Sequence, residues 1–305
     1  MSEPVTVADY LKLGERVLTD STHVFEDHDN ASEARELLAH VLEIDEDELD
    51  PEDVISPRRG ERYLAYVARR AGGEPFPFLT GHLIFWGLDL KVEPGAFVPR
   101  PSSELTVARA VRLLRKRRNP IVLDVCTGSG PIALAIADDV PTAEVWGTDI
   151  SREGLGQGRR NARRLGIKNV TFKEGDMYGA LPDRLQGSVD VITGHVPYVP
   201  QEEIGDLPAE VREYEPLNTL TDQSDDGLSL LRVAIYGAPR WLKPGGWLLL
   251  EISHDLPPKL KRMTRRAGLE PINVATDEDD LSVVLEARMP ERTAAELRGV
   301  TRGPR

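Results

Sequence analysis

Small and polar residues directly follow an apolar segment near position 121, and together they could hold a nucleotide. Residues 121–126 are typical of a buried strand, and Gly128 and Gly130 form a turn behind it. Glycine lets a backbone turn sharply and approach a ligand closely. Pro131 suits the first turn of the following helix, whose free N–H groups can donate to a polar ligand.

An acidic residue completes this arrangement. Asp149 lies nineteen residues after Gly130, at the end of a second strand-like run at 144–149. An acid at such a strand end can accept hydrogen bonds from both ribose hydroxyls. Strand, glycine turn, helix, strand and acid in this order indicate a nucleotide site, and the alternative is a structural tight turn in an α/β protein.

A second candidate for chemistry is the segment Gly194-His-Val-Pro-Tyr198. Pro197 favours an extended, rigid loop. His195 is the first polar side chain after a predicted strand, so it could meet a reacting group, although a structural role for His195 and core packing for Tyr198 remain open. The other histidines and Cys126 show no spacing typical of a metal site, so we predict none.

The elements that would position these residues alternate along the chain. Strands are predicted at 121–126, 144–149, 169–174, 188–194, 245–252, 270–276 and 281–288. Helices are predicted at 131–138, 151–165, 226–241 and 256–267. Such alternation predicts an α/β fold with a mostly parallel sheet and helices on both faces. Ligands bind such sheets outside the carboxyl ends of the strands, where the residues above lie.

Other patterns precede the sheet. Residues 1–73 are predicted to form a small helical domain, with helices at 7–18, 31–42 and 61–70, Asn30 as an N-cap, and an acidic loop at 43–53. Residues 74–101 are predicted to be a β-hairpin linker, with strands at 83–86 and 88–92. Ser102 or Ser103 is expected to cap a helix at 104–115. The domain with the nucleotide motifs is then 102–288, and 289–305 is expected to be a loose tail.

Composition limits the possible partners. The chain has 305 residues with 38 Lys and Arg against 51 Asp and Glu, a net charge of −13. This excess argues against broad binding of nucleic acid. Cys126 is the only cysteine, which is compatible with a reducing compartment. With no signal-like N-terminus and no apolar run of the roughly 18 residues that a membrane span needs, we expect a cytoplasmic protein without a membrane partner. The oligomeric state stays open.

Together the motifs resemble the class I S-adenosylmethionine (SAM)-dependent methyltransferases, and within them the HemK-like glutamine N5-methyltransferases that modify release factors. The resemblance runs from about residue 31 to about residue 288. The matching motifs are Phe78-Leu-Thr-Gly81, Phe85-Trp86, Val98-Pro-Arg-Pro101 with Glu104, Asp124-x-x-Thr-Gly-x-Gly130, Asp149, Asp176, Val196-Pro-Tyr198, Glu215-Pro216 and Gly245-Gly246 with Glu251. It implies a Rossmann-like sheet with an antiparallel last strand and a small N-terminal helical domain.

The resemblance also implies roles by matching position. The implied SAM-binding residues are Asp124, Cys126, Thr127, Gly128, Gly130, Asp149, Ile150, Asp176, Met177 and His195. The implied catalytic residues are His195, Pro197 and Tyr198, and the implied substrate-binding residues are Arg100, Glu104, His195, Val196 and Tyr198. In the family, an Asn-Pro-Pro-Tyr motif holds the substrate amide through the Asn side chain and the carbonyl of the next residue, and the Tyr packs near the methyl group.

This chain departs from the family at the site. His195 and Val196 replace Asn and the first Pro, Cys126 replaces the first glycine of the turn, and the pair Ser102-Ser103 stands where the family usually has an acid. Neutral imidazole can accept one hydrogen bond but lacks the shape of a carboxamide. It can also act as a general base.

Four functions are therefore open. The first hypothesis is methylation of a glutamine amide in a protein such as a release factor. The second is SAM-dependent methylation of another acceptor, such as a small molecule, with His195 as general base. The third is an NAD(P)-binding dehydrogenase, because Gly128-x-Gly130-x-x-Ala133 and Asp149 also fit that fingerprint. The fourth is a binding protein that has lost catalysis.

Overall fold

The computed structural model describes residues 5–23, 29–277 and 282–291. The chain divides into two compact units. Among the described residues, a helical unit consists of 5–23, 29–83, 91–94 and 203–216, and a sheet unit consists of 84–90, 95–202, 217–277 and 282–291. The helical unit thus takes in 74–83 and 203–216, which the sequence pattern does not assign to it. Most of the predicted tail, 292–305, lies outside the described residues.

The elements are numbered in chain order. The helices in the described part are α1 (Val7–Thr19), α2 (Asn30–Leu42), α3 (Pro57–Ala71), α4 (Phe76–Thr80), α5 (Glu104–Leu114), α6 (Pro131–Asp139), α7 (Arg152–Leu165), α8 (Ala209–Tyr214), α9 (Ser229–Trp241) and α10 (Pro257–Arg266). The strands there are β1 (His82–Phe85), β2 (Leu88–Lys91), β3 (Ile121–Val125), β4 (Glu144–Asp149), β5 (Val170–Glu174), β6 (Val189–Gly194), β7 (Leu242–Glu251), β8 (Glu270–Thr276) and β9 (Val283–Arg288). None of these helices combines the length and apolar character needed to cross a bilayer.

The helix starts show which residues satisfy the free N–H groups. Thr6 and Asp9 form a reciprocal capping box at α1. The prediction that Asn30 caps α2 is wrong, because the carboxylate of Asp29 accepts from the Ser32 N–H at 3.0 Å and Asn30 is the first helical residue. The short helices α4 and α8 have too few residues to show a periodic apolar pattern, and the sequence analysis did not predict them.

A buried arginine joins three parts of the helical unit. Arg70, at the end of α3, is fully buried. Its Nε donates to Glu33 in α2 at 2.7 Å, and its Nη1 donates to Glu210 in α8 at 2.6 Å. Buried charges need such partners because they have lost their hydration. Arg70 therefore fastens the distant segment 203–216 to the helices of the N-terminal region.

The sheet unit is built on a seven-stranded sheet with the order β5-β4-β3-β6-β7-β9-β8. The strands from β5 to β7 run parallel to their neighbours, whereas β9 is antiparallel to both β7 and β8. The predicted mostly parallel sheet with an antiparallel end is thus confirmed. Consecutive residues such as Val122 and Leu123 belong to different apolar clusters, because side chains in a strand alternate between its two faces.

We predict that Arg70→Leu lowers the free energy of unfolding by about 3–5 kcal/mol, because two buried carboxylates lose their cation. Urea denaturation followed by circular dichroism measures the change. Arg69→Leu is the matched control. Arg69 pairs with Glu74 while half-exposed, so its loss should cost about 1 kcal/mol or less. Equal effects of the two substitutions would contradict a special role for Arg70.

Candidate active site

The strand register places the functional residues in one row. Val125 pairs with Thr148 of β4 and with Gly194 of β6, and Gly194 pairs with Leu250 of β7. The next residues of these strands, in spatial order, are Asp149, Cys126, His195 and Glu251. All four strands are parallel, so these residues emerge together at the carboxyl edge of the sheet, where α/β proteins bind ligands.

Asp124, in β3, stabilises the turn that follows this strand. Its side chain is only 1% exposed. It accepts hydrogen bonds from the hydroxyls of Thr127 at 2.5 Å and Thr193 at 2.8 Å. Burial raises the pKa of Asp124 to about 6, although both hydroxyls oppose the shift. Asp124 therefore fixes the position of Thr127 and of the turn.

The turn is held from the side by Asp149. One carboxylate oxygen accepts from the Gly128 N–H and the other from the Ser151 N–H, both at 2.8 Å. Each oxygen keeps a second lone pair that can face a ribose hydroxyl. Burial raises the pKa of Asp149, and these N–H groups partly offset that effect. Ile150 beside it is 57% exposed and offers apolar surface next to this carboxylate.

Two sulfur atoms meet at the same edge. Cys126 Sγ lies 3.3 Å from Met177 Sδ. Both residues have a left-handed backbone, with φ of 53° at Cys126 and 46° at Met177, a conformation that non-glycine residues seldom adopt. Burial raises the pKa of the Cys126 thiol, and Asp149 and Asp124 raise it further. The thiol therefore stays neutral at this edge.

Aromatic rings hold His195 in place. Its ring stacks on Tyr198, with centroids 5.8 Å apart and planes at 26°, and meets Phe97 edge-on at 5.4 Å. The guanidinium of Arg100 lies 4.6 Å from the centre of the Phe97 ring. Such contacts have preferred geometries, so the imidazole has a defined orientation. Burial, with Glu251 and Asp255 nearby, raises the pKa of Tyr198 to about 12.

The serines before α5 do not cap it, contrary to the prediction. No side-chain cap occurs at the start of this helix. Ser102 Oγ instead donates to Glu251 Oε1 at 2.8 Å, and Ser103 Oγ lies 3.4 Å from His195 Nδ1. Glu251 Oε2 is also 3.4 Å from that nitrogen. Ser102, Ser103 and Glu251 are absent from the site predicted from the sequence, because their contacts with one another and with His195 join distant parts of the chain.

Other residues predicted at the site are distributed as follows. Glu104 accepts a hydrogen bond from the Trp86 N–H at 2.6 Å and so holds the turn of the hairpin β1–β2. Val196 is buried, and Pro197 is partly exposed. Asp176 is exposed, and its carbonyl oxygen accepts a hydrogen bond from the Gly179 N–H. The described residues contain no group of three or more His, Cys, Asp or Glu side chains that could hold a metal ion.

Helix α7 approaches the turn through glycines that the sequence analysis passed over. A Cβ at Gly154 would lie 2.9 Å from the Gly128 carbonyl oxygen, and one at Gly158 would lie 2.9 Å from that of Ser129. Both distances are too short for a real contact. The spacing Gly154-x-x-x-Gly158 puts both residues on one helix face and is the sequence signal for this close approach.

The chain matches two known families. It matches the family described as "Methyltransferase domain" over residues 116–286 and the one described as "PrmC N-terminal domain" over 16–81. A release factor glutamine methyltransferase of Burkholderia pseudomallei (strain K96243) is 34% identical over 86% of this chain and 93% of that protein. One of Xylella fastidiosa (strain 9a5c) is 37% identical over 84% of this chain and 90% of that protein. A solved methyltransferase structure from Pyrococcus furiosus, 18% identical, aligns with a TM-score of 0.48 over 78% of this chain and 100% of its own.

We predict that Gly154→Ala weakens SAM binding by about 1–3 kcal/mol, the usual cost of overpacking, because the methyl group displaces the turn at Gly128. Isothermal titration calorimetry measures the affinity. Gly156→Ala is the matched control, since a Cβ there meets only the end of Arg160 at 3.4 Å. The control should bind SAM normally and gain about 1 kcal/mol of stability. Normal binding by both variants would contradict the role of the glycine contact.

We also predict a pH-dependent effect of Asp124→Asn. The pKa of Asp124 rises from 3.8 to about 6 on folding. Its contribution to stability is therefore fully present below about pH 4 and is lost as the pH rises through about 6. Between about pH 5 and about pH 7, the variant should gain about 1 kcal/mol relative to the parent, since one pKa unit is worth about 1.4 kcal/mol. Urea unfolding at both pH values tests this, with the exposed Asp138→Asn as control. A difference that does not change with pH would contradict the assignment.

Proposed function

The chain belongs to the release factor glutamine methyltransferase family, and from this premise we propose that it methylates the side-chain amide of a glutamine in a protein such as a release factor. It is a SAM-dependent methyltransferase. Membership of this family decides against the NAD(P)-dependent dehydrogenase. On this premise we assign the glycine turn and Asp149, which fit both fingerprints, to SAM binding.

The observation that carries the proposal is the register of β3 and β6. Because Val125 pairs with Gly194, the cofactor turn beginning at Cys126 and the acceptor loop beginning at His195 leave the sheet side by side. When bound, SAM supplies an electrophilic methyl group on a sulfonium. Holding the acceptor nitrogen in line with that group can supply much of the rate enhancement, and adjacent strand ends suit this task.

An amide acceptor needs hydrogen-bond acceptors, since its nitrogen carries two N–H groups. His195 offers one ring nitrogen, and the carbonyl of Val196 offers an oxygen that the exchange of Pro for Val leaves in place. The stacked ring of Tyr198 closes the site as a neutral phenol, because its pKa lies at about 12. These groups align the amide without removing a proton first.

The environment of Cys126 supports the same reaction. Thiolate is the nucleophilic form of cysteine, and a thiolate beside a sulfonium would compete for the methyl group. Burial and the carboxylates of Asp149 and Asp124 raise the pKa of Cys126, so the thiol stays protonated and does not compete with the amide.

A second candidate is an acceptor that loses a proton, with His195 as general base. The observation in its favour is the buried carboxylate of Glu251, whose Oε2 lies 3.4 Å from His195 Nδ1. A carboxylate in this place orients an imidazole base and stabilises its protonated form, as in catalytic triads. The two candidates demand opposite behaviour of a variant at position 195.

We predict that His195→Asn keeps or raises methylation of a glutamine, because asparagine restores the carboxamide acceptor. The assay mixes the protein with radiolabelled SAM and an intact bacterial release factor, and mass spectrometry locates the methyl group. If His195 is instead a general base, the same variant should lose about 10²–10⁴ in rate toward its acceptor.

The matched control is His254→Asn, the same substitution at an exposed histidine, which should leave the rate unchanged. A release factor whose target glutamine is replaced by alanine should remain unlabelled. The proposal fails if the folded protein binds SAM and yet labels no glutamine in the release factor.

A further inference from the structure

The polar contacts of His195 all involve one ring nitrogen. Nδ1 lies 3.4 Å from Ser103 Oγ and 3.4 Å from Glu251 Oε2. In the described part of the chain, no hydrogen bond or ion pair is found at Nε2. The ring thus has one nitrogen engaged with the protein, and the other is left for a ligand.

Glu251, beside this nitrogen, is a buried carboxylate that lacks one hydrogen-bond donor. Its side chain is only 5% exposed. Ser102 Oγ donates to Oε1 at 2.8 Å, whereas Oε2 is buried with no hydrogen-bond partner among the described residues. A buried carboxylate oxygen without a donor costs free energy. An N–H at Nδ1 of His195, 3.4 Å away, could donate to Oε2.

The proton on the neutral ring can occupy either nitrogen, and only one choice satisfies this carboxylate. With hydrogen on Nδ1, the ring donates toward Glu251, and Nε2 presents a lone pair. With hydrogen on Nε2, the bare Nδ1 accepts from Ser103, and its lone pair faces the negative Oε2 at 3.4 Å. The second arrangement is repulsive and leaves the carboxylate unsatisfied. The partner of one histidine nitrogen sets the state of the other.

We propose that Glu251 is a positioning residue that holds the hydrogen of His195 on Nδ1, so that Nε2 acts as the hydrogen-bond acceptor for the substrate. The role of Nε2 rests on the proposed function, whereas the state of the ring does not. Nε2 then does for one amide N–H what a carboxamide oxygen would do, and the carbonyl of Val196 is available for the other.

Neighbouring side chains restrict the orientation of the His195 ring and therefore the direction of Nε2. Phe97 contacts the ring edge-on, and Tyr198 stacks on its face, which limits rotation about the Cβ–Cγ bond. The other charged groups near Tyr198 are Asp255 and Arg100, and Arg100 lies over Phe97. Neither has a hydrogen bond or ion pair to Nδ1, so Glu251 is the charged partner of that nitrogen in the described structure.

Nuclear magnetic resonance of ¹⁵N-histidine-labelled protein tests the ring directly. Long-range ¹H–¹⁵N correlations distinguish a protonated ring nitrogen from a bare one, and loss of signals in His195→Asn assigns the ring. When its ring is neutral, the free parent protein should show hydrogen on Nδ1 and a bare Nε2. Hydrogen on Nε2 in the parent would overturn the proposal, and no substrate is needed for the measurement.

Two variants separate the partners of Nδ1. Glu251→Gln can donate from its amide to Nδ1, so the hydrogen should move to Nε2. Ser103→Ala removes the competing hydroxyl and should leave the hydrogen on Nδ1. If instead Ser103→Ala moves the hydrogen and Glu251→Gln does not, Ser103 is the positioning residue and the proposal is wrong. Should Glu251→Gln fail to fold, the spectra of the parent and of Ser103→Ala still decide.

Kinetics with the release factor then test the consequence. Glu251→Gln should lower kcat about 10- to 100-fold, the scale for losing the partner that orients a histidine, while SAM affinity stays unchanged. In a His195→Asn background the same substitution should have little effect, because no imidazole remains to be oriented. An undiminished loss in that background would overturn the link through His195. If hydrogen is found on Nδ1 but no glutamine is methylated, the proposed function is wrong and the role of Glu251 in positioning the hydrogen stands.

Discussion

The alignment of three parallel strands governs the rest of the site. Val125, Gly194 and Leu250 lie side by side in β3, β6 and β7, so the residues after them form a row at the sheet edge. A shift of one residue would turn every side chain of a strand to the other face. The close packing at Gly194 enforces the alignment, since a Cβ there would lie 2.8 Å from a methyl group of Val125. The positions of the glycine turn, of the loop that begins at His195 and of the Glu251 carboxylate all depend on this alignment.

This edge carries three buried or half-buried carboxylates, and each is stabilised by a different set of donors. Asp124 has two threonine hydroxyls, Asp149 has two backbone N–H groups, and Glu251 has one serine hydroxyl. Burial raises the pKa of Asp124 and Asp149, which means that ionising these carboxyl groups costs free energy. Their hydrogen-bond donors fix the positions of the carboxylates. The nearby carboxylates of Asp149 and Asp124 also raise the pKa of Cys126, so its thiol stays protonated.

Three residues that depart from the family motifs, Ser102, Ser103 and His195, are close together in the structure. Ser102 and Ser103 precede His195 by more than ninety positions in the sequence, yet Ser102 and His195 both contact Glu251, and Ser103 contacts His195. A serine hydroxyl can donate to that carboxylate, whereas an acid there would repel it. Imidazole in turn can donate to the same carboxylate from one nitrogen and accept from a ligand with the other. The exchanges therefore form one local arrangement around Glu251 and His195.

The sequence by itself determined the family, the alternating strands and helices, and the residues at the strand ends, because periodicity and glycine turns are local signals. It also placed Asp149 and His195 at the carboxyl edge, since parallel strands share that edge. Only the tertiary structure decided which of these residues touch. The contact of Glu251 with His195 depends on strand register. The burial of Arg70 depends on Glu210, in a helix 140 residues away. The contacts of Ser102 and Ser103 depend on Glu251, at the end of β7, and on His195. Such contacts join distant parts of the chain, and no local pattern of residue types specifies the distance between them.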